Sequence, residues 1–136
     1  MICVAFRLNE LYFGFEIREV VEVVKEYTIK DIPGVNPIIK GMVNLRGEII
    51  TVVDLKKRLH LEQKKKPQHD IMIMEHNEEH FGLFIDEVME VVALKEEDIQ
   101  RENKNIFKIQ ENFLKVLGKI KGKPLMILDL KQVLEF

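Results

Sequence analysis

The chain has 136 residues, of which 46% are hydrophobic and 32% are charged, and its formal net charge is -2. This composition is typical of a globular domain, no apolar run reaches the roughly 18 residues of a membrane span, and the charge balance gives no general attraction to nucleic acid or membrane. The single Cys3 excludes an internal disulfide. Because Met1 leads into a strand-like run and not into a secretory signal, we expect a cytoplasmic protein without direct membrane insertion.

The first predicted elements are two β-patterned runs, Ile2 to Leu8 and Leu11 to Ile17, joined by a short polar pair suited to a tight turn. Residues 19–24 contain four valines in six positions, which favours a strand entered through a turn or bulge. A one-sided sheet would leave some of these valines facing outwards. They are therefore either buried between two units of the chain or form a hydrophobic groove for a partner helix.

The central stretch, residues 41–55, predicts a hairpin followed by a short helix. Asn44 to Gly47 is a turn-like tetrapeptide between two apolar, β-branched runs, and Gly47 is free to adopt a positive φ. The second run, Ile49 to Val53, ends at Asp54, which is well placed to cap the helix that follows.

The central stretch recurs near the C-terminus at a shift of 75 residues, which superposes Gly47 on Gly122 and Asp54 on Asp129. Residues 13–24 also match residues 81–92, at a shift of 68. A length difference of this size between two copies is easily absorbed by a loop. The sequence therefore predicts an internal duplication.

We expect one domain over residues 1–136 that consists of two subunits, one over about residues 1–60 and one over about residues 71–136. The linker between them, residues 60–70, lacks apolar periodicity and contains the run Lys64-Lys65-Lys66 before Pro67. Each half alone is near the lower size limit for a stable core, so the halves should pack on each other. Many short strands separated by turns, repeated twice, indicate a mainly β fold with a pair of small barrels.

No residue pattern supports an enzyme, a metal site or a cofactor. Asp54 and Asp129 occupy the same strand-to-helix position in their own copies, which favours two helix caps over a general acid–base pair. The charged segment from Lys95 to Asn105 is predicted to be an exposed loop or a short surface helix. The four histidines lie at spacings unlike a helical metal pair and are expected at the surface: His60, His69, His76 and His80.

The two copies differ at the turn. Asn44 and Arg46 occur only in the first copy, and Lys121 takes the place that corresponds to Arg46. Arg46 has two interpretations that are compatible with each other. It satisfies carbonyls or a carboxylate near its turn, or its forked guanidinium contacts a partner protein.

These residues resemble the CheW-like domain family of bacterial chemotaxis. Residues 39–55 are similar to the family hallmark I-x-G-x-x-N-L-R-G-x-I-x-P-V-x-D-L, and residues 13–23 are similar to its Y-G-I-x-I-x-x-V-x-E-V segment. One departure is Thr51, where the family often has proline. The chain begins and stops close to the domain edges, so we expect a stand-alone member without kinase or receiver domains.

The resemblance implies two SH3-like five-stranded barrels with short helices. It also implies a non-enzymatic adaptor, without cofactor, that couples the cytoplasmic tip of methyl-accepting chemoreceptors to the regulatory domain of the histidine kinase CheA. Such a protein would be recruited to membrane-associated receptor arrays. By motif match, the residues at or beside the partner contacts would be Val20, Glu22, Gly41, Asn44, Arg46 and Val88.

The alternative function is that of a small β-barrel that binds nucleic acid. Such barrels present a basic face with aromatic stacking residues. This chain has no Trp, two Tyr and a slight negative charge, all of which disfavour that alternative.

Overall fold

The computed structural model describes residues 1–100 and 109–136. Within these ranges the chain forms ten strands, two short α-helices and three 3-10 helices. The strands are β1 Ile2–Leu8, β2 Leu11–Glu16, β3 Val20–Val24, β4 Ile39–Leu45, β5 Glu48–Asp54, β6 Asp70–His76, β7 Glu79–Ile85, β8 Glu87–Ala93, β9 Leu114–Ile120 and β10 Lys123–Leu128. The helices are α1 Leu55–Arg58 and α2 Leu130–Leu134, and the 3-10 helices are Ile17–Glu19, Glu96–Asp98 and Glu111–Phe113.

The strands form two five-stranded sheets. The first sheet has the order β8-β1-β2-β10-β9, and the second has the order β3-β6-β7-β5-β4. Neighbouring strands are antiparallel except for two parallel pairs, β2 with β10 and β5 with β7. The mainly β fold with two SH3-like five-stranded units and short helices is thereby confirmed.

The two sheets have the same internal order when each strand of β1–β5 is replaced by its counterpart among β6–β10. Each sheet takes two strands from one copy of the duplicated sequence and three from the other, so the copies interleave. For example, Ile2 of β1 pairs with Ala93 of β8. The subunit limits at residues 1–60 and 71–136 stay a prediction about the duplicated sequence.

The apolar residues of each strand alternate between two kinds of core. On β1, Val4, Phe6 and Leu8 point into a central cluster shared by both sheets, whereas Cys3 and Ala5 join a smaller cluster inside the first sheet. A third cluster fills the inside of the second sheet. This alternation ties the two sheets together through one continuous apolar layer.

Both predicted helix caps are confirmed. The carboxylate of Asp54 accepts a hydrogen bond from the backbone N–H of Lys57 at 3.2 Å, and that of Asp129 accepts one from Gln132 at 3.3 Å. Capping by an aspartate side chain satisfies a donor that the helix itself leaves unpaired. The repeated geometry shows why both copies carry aspartate at this position.

Several boundaries differ from the predictions. The strand predicted from Glu19 starts at Val20, because Ile17–Glu19 forms the 3-10 turn through which β3 is entered. The predicted charged segment contains the 3-10 helix Glu96–Asp98, and its residues from 101 onwards lie outside the described ranges. In the described residues no strand pairing joins β3 to β4 or β8 to β9, so the predicted barrels are curled sheets without full hydrogen-bonded closure.

Candidate functional site: the hairpin turn and the edge strands

Five of the six predicted site residues lie in the second sheet or in its hairpin turn. Val20 and Glu22 are on its edge strand β3, Gly41 and Asn44 are on its other edge strand β4, Arg46 is in the turn after β4, and Val88 is on edge strand β8 of the first sheet. The structure joins Glu22 directly to Arg46, but it places Val88 on a different sheet. Partner contact stays a prediction for all six.

An ion pair connects the two edges of the second sheet. The guanidinium of Arg46 donates a hydrogen bond to the carboxylate of Glu22 at 2.6 Å. The Arg46 side chain is 71% exposed, so solvent screens the pair and its contribution to stability is small. The guanidinium is therefore held in place and still accessible to a partner.

The turn that carries Arg46 has an unusual backbone. Both central residues have positive φ, 52° at Arg46 and 88° at Gly47, as in a type I′ hairpin turn. The side chain of Asn44 accepts a hydrogen bond from the backbone N–H of Gly47 at 3.0 Å. The sequence predicted the positive φ at Gly47 but not at Arg46, because a non-glycine residue rarely adopts it.

Gly41 is required by a close approach of two backbone segments. A Cβ atom at this position would lie 2.3 Å from the carbonyl oxygen of Lys30. The approach is held by two backbone hydrogen bonds between Lys30 and Met42, of 2.8 and 2.9 Å. Gly41 is buried and thus positions β4 without offering a side chain to a partner.

Val20 and Val88 occupy equivalent places, since they are related by the shift of 68 residues. Both are partly buried and pack against the central cluster. The backbone N–H of Val88 also donates a hydrogen bond to the carboxylate of Asp70 at 2.8 Å. Of the two alternatives for the valines of residues 19–24, burial between the units describes Val20, whereas Val21 of the same strand is an exposed hydrophobic residue.

One exposed residue of this region was missed from the sequence. Ile49 is 60% exposed and pairs across β4 and β5 with Asn44. Its neighbour Ile50 is buried, and Val52 continues the buried side of the strand. Alternation alone could not reveal this exposure, because Ile49 lies on the same face of β5 as Val53, which is buried in the central cluster.

The first sheet contains a second version of the edge-to-edge ion pair. Lys121, the counterpart of Arg46, lies 3.6 Å from Glu90, the counterpart of Glu22. Lys121 also has a positive φ of 49°. The bridge between the sheet edges is thus a property of the duplicated unit, whereas the planar fork of arginine is particular to the second sheet.

His80, a histidine next to the turn that carries Arg46, has its pKa shifted by nearby glutamates. The ring Nδ1 of His80 lies 2.9 Å from the carboxylate of Glu48, directly after the turn glycine. The hydrogen bond with Glu48 raises the pKa of His80, and the negative charges of Glu48, Glu75 and Glu22 act in the same direction. His80 carries a positive charge over a wider pH range than an isolated histidine.

The described residues contain neither a metal-binding cluster nor a membrane-spanning helix. Residues 1–100 and 109–136 contain no group of three or more His, Cys, Asp or Glu side chains that could hold a metal ion. Across these same ranges, no helix is long and apolar enough to cross a membrane.

Comparisons with known proteins identify relatives over nearly the whole chain. A model of the CheW-like domain family matches residues 3–136. The crystal structure of the scaffolding protein TtCheW from Thermoanaerobacter tengcongensis superposes with a TM-score of 0.89 at 34% identity, covering 99% of this chain and 92% of that one.

Two curated relatives are chemotaxis proteins CheW. The protein of Treponema pallidum is 29% identical, over 96% of this chain and 79% of its own length. The protein of Bacillus subtilis is 28% identical, over 97% of this chain and 85% of its own length. These names are those of chemotaxis and scaffolding proteins and not of enzymes, and none of them supports nucleic-acid binding.

Proposed function

Because the chain belongs to the CheW-like domain family, we propose that it is an adaptor that couples methyl-accepting chemoreceptors to the histidine kinase CheA. In this proposal it binds the cytoplasmic tip of the receptors and the regulatory domain of the kinase, and it is recruited from the cytoplasm to membrane-associated receptor arrays. The scaffolding and chemotaxis names of its relatives support the proposal.

The observation that carries this proposal is the exposed hairpin turn of the family hallmark segment. Arg46 presents a guanidinium that is oriented by Glu22 and still accessible to solvent. Ile49 and Val21 expose apolar surface on β5 and β3 of the same sheet. Arginine beside apolar side chains is a frequent composition of protein-binding surfaces.

The six site residues divide into two proposed roles. Asn44, Arg46 and Glu22 form the polar part of the partner surface, since their side chains are exposed or half-buried. The other three support that surface from beneath or from its border: Val20, Gly41 and Val88.

A reconstitution experiment tests the proposed function. Membranes that contain a chemoreceptor are mixed with CheA, with and without the purified chain, and sedimented. We expect CheA to sediment with the membranes only when the chain is present, and receptor-dependent kinase activity to rise with it. If CheA sediments equally without the chain, or if the chain binds neither component alone, the adaptor function is wrong.

A further inference from the structure

A cavity of about 430 Å³ lies beside α1, between the end of β7 and the segment that links the two copies. Its walls are lined by four lysines, one aspartate, one glutamine, one histidine and one aromatic ring: Lys40, Lys56, Lys64, Lys65, Asp54, Gln63, His69 and Phe84. A volume of this size is typical of a small-molecule site. The only carboxylate among the lining residues is that of Asp54, which already caps α1. Because lysines outnumber it, a ligand there would be an anion.

Lys56 does not offer its charge to a ligand. Its Nζ lies 2.7 Å from the carboxylate of Asp86, and the two side chains are only 5% and 1% exposed. The same Nζ donates a hydrogen bond to the carbonyl oxygen of Lys64, and Asp86 accepts one from the backbone N–H of Asn9. This buried ion pair has no net charge and forms one wall of the cavity.

Two other lysines remain available. Among residues 1–100 and 109–136, neither Lys40 nor Lys65 has a carboxylate partner. The Nζ of Lys40 lies 4.7 Å from the centre of the Phe84 ring, which attracts a cation but does not neutralise it. Lys64 is paired with Glu10 at 3.0 Å, although only at the surface.

The histidine in the wall is held in place, with its Nε2 3.5 Å from the carboxylate of Asp86. His69 stacks on Phe84 with 4.4 Å between ring centres, and its carbonyl oxygen accepts a hydrogen bond from Tyr27. Burial lowers the pKa of His69, and the charges of Lys56 and Lys40 lower it further against the opposing effect of Asp86. The half-buried ring of His69 therefore extends the aromatic wall that Phe84 begins.

The duplication supplies an internal comparison. At a shift of 75 residues Lys40 corresponds to Lys115, and at a shift of 68 Phe84 corresponds to Glu16. In the first sheet Lys115 forms an ion pair with Glu16. In the second sheet the acidic partner is replaced by a phenyl ring, which leaves Lys40 beside the cavity without the carboxylate that its counterpart has.

We propose that this cavity binds a small organic anion, whose carboxylate or phosphate group takes the place that the Glu16 carboxylate has in the other sheet. The anionic group would contact Lys40 and Lys65, and an adjoining apolar part would contact Phe84. This ligand is additional to the receptor and kinase contacts, and binding requires the chain alone. The outcome is therefore independent of the proposed adaptor function.

The test is an NMR titration of the purified chain with benzoate, phenyl phosphate and inorganic phosphate. The first two probes separate carboxylate from phosphate, and the third lacks the apolar part. We expect one of the aromatic anions to shift the ring signals of His69, the only one of the four histidines that lines the cavity. Signals of His60, His76 and His80 should move little.

Variants assign the binding to the cavity. Lys40→Ala with Lys65→Ala should weaken binding by at least about tenfold, since each removes a charge-assisted hydrogen bond. Phe84→Glu should block binding by supplying an internal carboxylate, as Glu16 does in the first sheet. Lys115→Ala is the matched control and should leave binding unchanged. Thermal melts show whether each variant is folded.

Several results would overturn the inference. One is that both aromatic anions bind more weakly than about 10 mM, which is little more than non-specific association. Another is that the double lysine variant, folded as the original chain is, binds as tightly as that chain. Equal binding of inorganic phosphate would contradict the apolar part of the site.

Discussion

The guanidinium of Arg46 lies 2.6 Å from the carboxylate of Glu22 and joins edge strand β3 of the second sheet to the turn at the end of edge strand β4. Lys121 and Glu90 repeat this connection in the first sheet at 3.6 Å. The structural interpretation of Arg46 is therefore correct in one respect, because the side chain does bind a nearby carboxylate. It does not compete with partner contact, since the guanidinium remains mostly exposed.

The two bridging cations give a matched test of partner contact. Arg46→Ala should weaken the assembly with receptor and CheA by about 1–3 kcal/mol, whereas Lys121→Ala should change it much less. Both substitutions place alanine at a left-handed φ and remove one exposed ion pair, so their costs in folding stability should be similar. Sedimentation of CheA with receptor membranes measures the binding.

The control for this pair is a thermal melt of each variant. Arg46→Lys separates charge from shape, because lysine keeps the charge but loses the planar fork. Equal binding losses in the two alanine variants, or a loss at Arg46 that follows its melting temperature, would leave Arg46 a purely structural residue.

The turn glycines should be important for stability in both copies. Gly47 and Gly122 have φ values of 88° and 77°, where a branched side chain is strained. Gly47→Val and Gly122→Val should each lower the free energy of unfolding by about 1 kcal/mol or more, measured by urea denaturation. The space around both positions is open, so the whole cost is in the backbone.

Gly47→Asn and Gly122→Asn are the matched controls. Asparagine tolerates positive φ better than valine, so it should cost clearly less. Equal losses for valine and asparagine would contradict an origin in the turn conformation.

Arg58 should stabilise the C-terminal helix. Its guanidinium donates hydrogen bonds to the carbonyl oxygens of Val133, Gln132 and Glu135, at 2.7, 2.8 and 2.6 Å. These carbonyls lie at or just beyond the end of α2, where a cation is favoured. Arg58→Ala should lower the free energy of unfolding by about 2 kcal/mol and speed amide hydrogen exchange in α2. Lys57→Ala, an exposed neighbour, should change stability by less than about 0.5 kcal/mol.

Arg58→Lys refines this prediction. Lysine keeps the positive charge but lacks the planar guanidinium that bonds to three carbonyl oxygens. We therefore expect a free energy of unfolding between those of the original chain and Arg58→Ala. The explanation would be wrong if alanine at this position left the exchange of the α2 amides unchanged.

Two histidines should give opposite pH dependences. The pKa of His80 is raised above 6.5 by its hydrogen bond with Glu48, so this pair stabilises the fold below pH 6.5 and loses its effect as the pH rises through the folded-state pKa. The pKa of His69 is lowered from 6.5 by burial. The stability contributed by neutral His69 is therefore present above pH 6.5 and is lost as the pH falls towards its folded-state pKa.

NMR titration of the ring signals measures both directions at once. In denaturation at pH 5.5 and 7.5, His80→Gln should cost more at the lower pH, and His69→Gln should cost more at the higher pH. The same sign for both variants would contradict the assigned environments.

Local features were predictable from the sequence because they depend on near neighbours. The hairpin at Asn44–Gly47 and the caps Asp54 and Asp129 follow from turn chemistry and from the repeat. The pairing of Ile2 on β1 with Ala93 on β8 could not be predicted from neighbouring residues. Alternation assigns a residue to a face of its strand, but it carries no information about which distant strand lies beside it.

Buried charge was the second feature beyond the reach of the sequence. Lys56 stands in the run Lys56-Lys57-Arg58, which has the composition of a solvated surface. It is buried because Asp86, thirty positions away, supplies the compensating carboxylate. The ion pair between Arg46 and Glu22 also depends on the tertiary fold, because it forms only when the sheet curls and brings its two edges together.

The interleaved strand order has a consequence for a chain cut between its two copies. Cleavage in the segment between α1 and β6 would leave one fragment with β1–β5 and the other with β6–β10, and each would hold two strands of one sheet and three of the other. Neither fragment could complete a sheet alone, but each would contain the strands that are missing from the other fragment's sheets. A protein nicked at this point should remain one particle under native conditions, and separately produced halves should restore the fold by complementation.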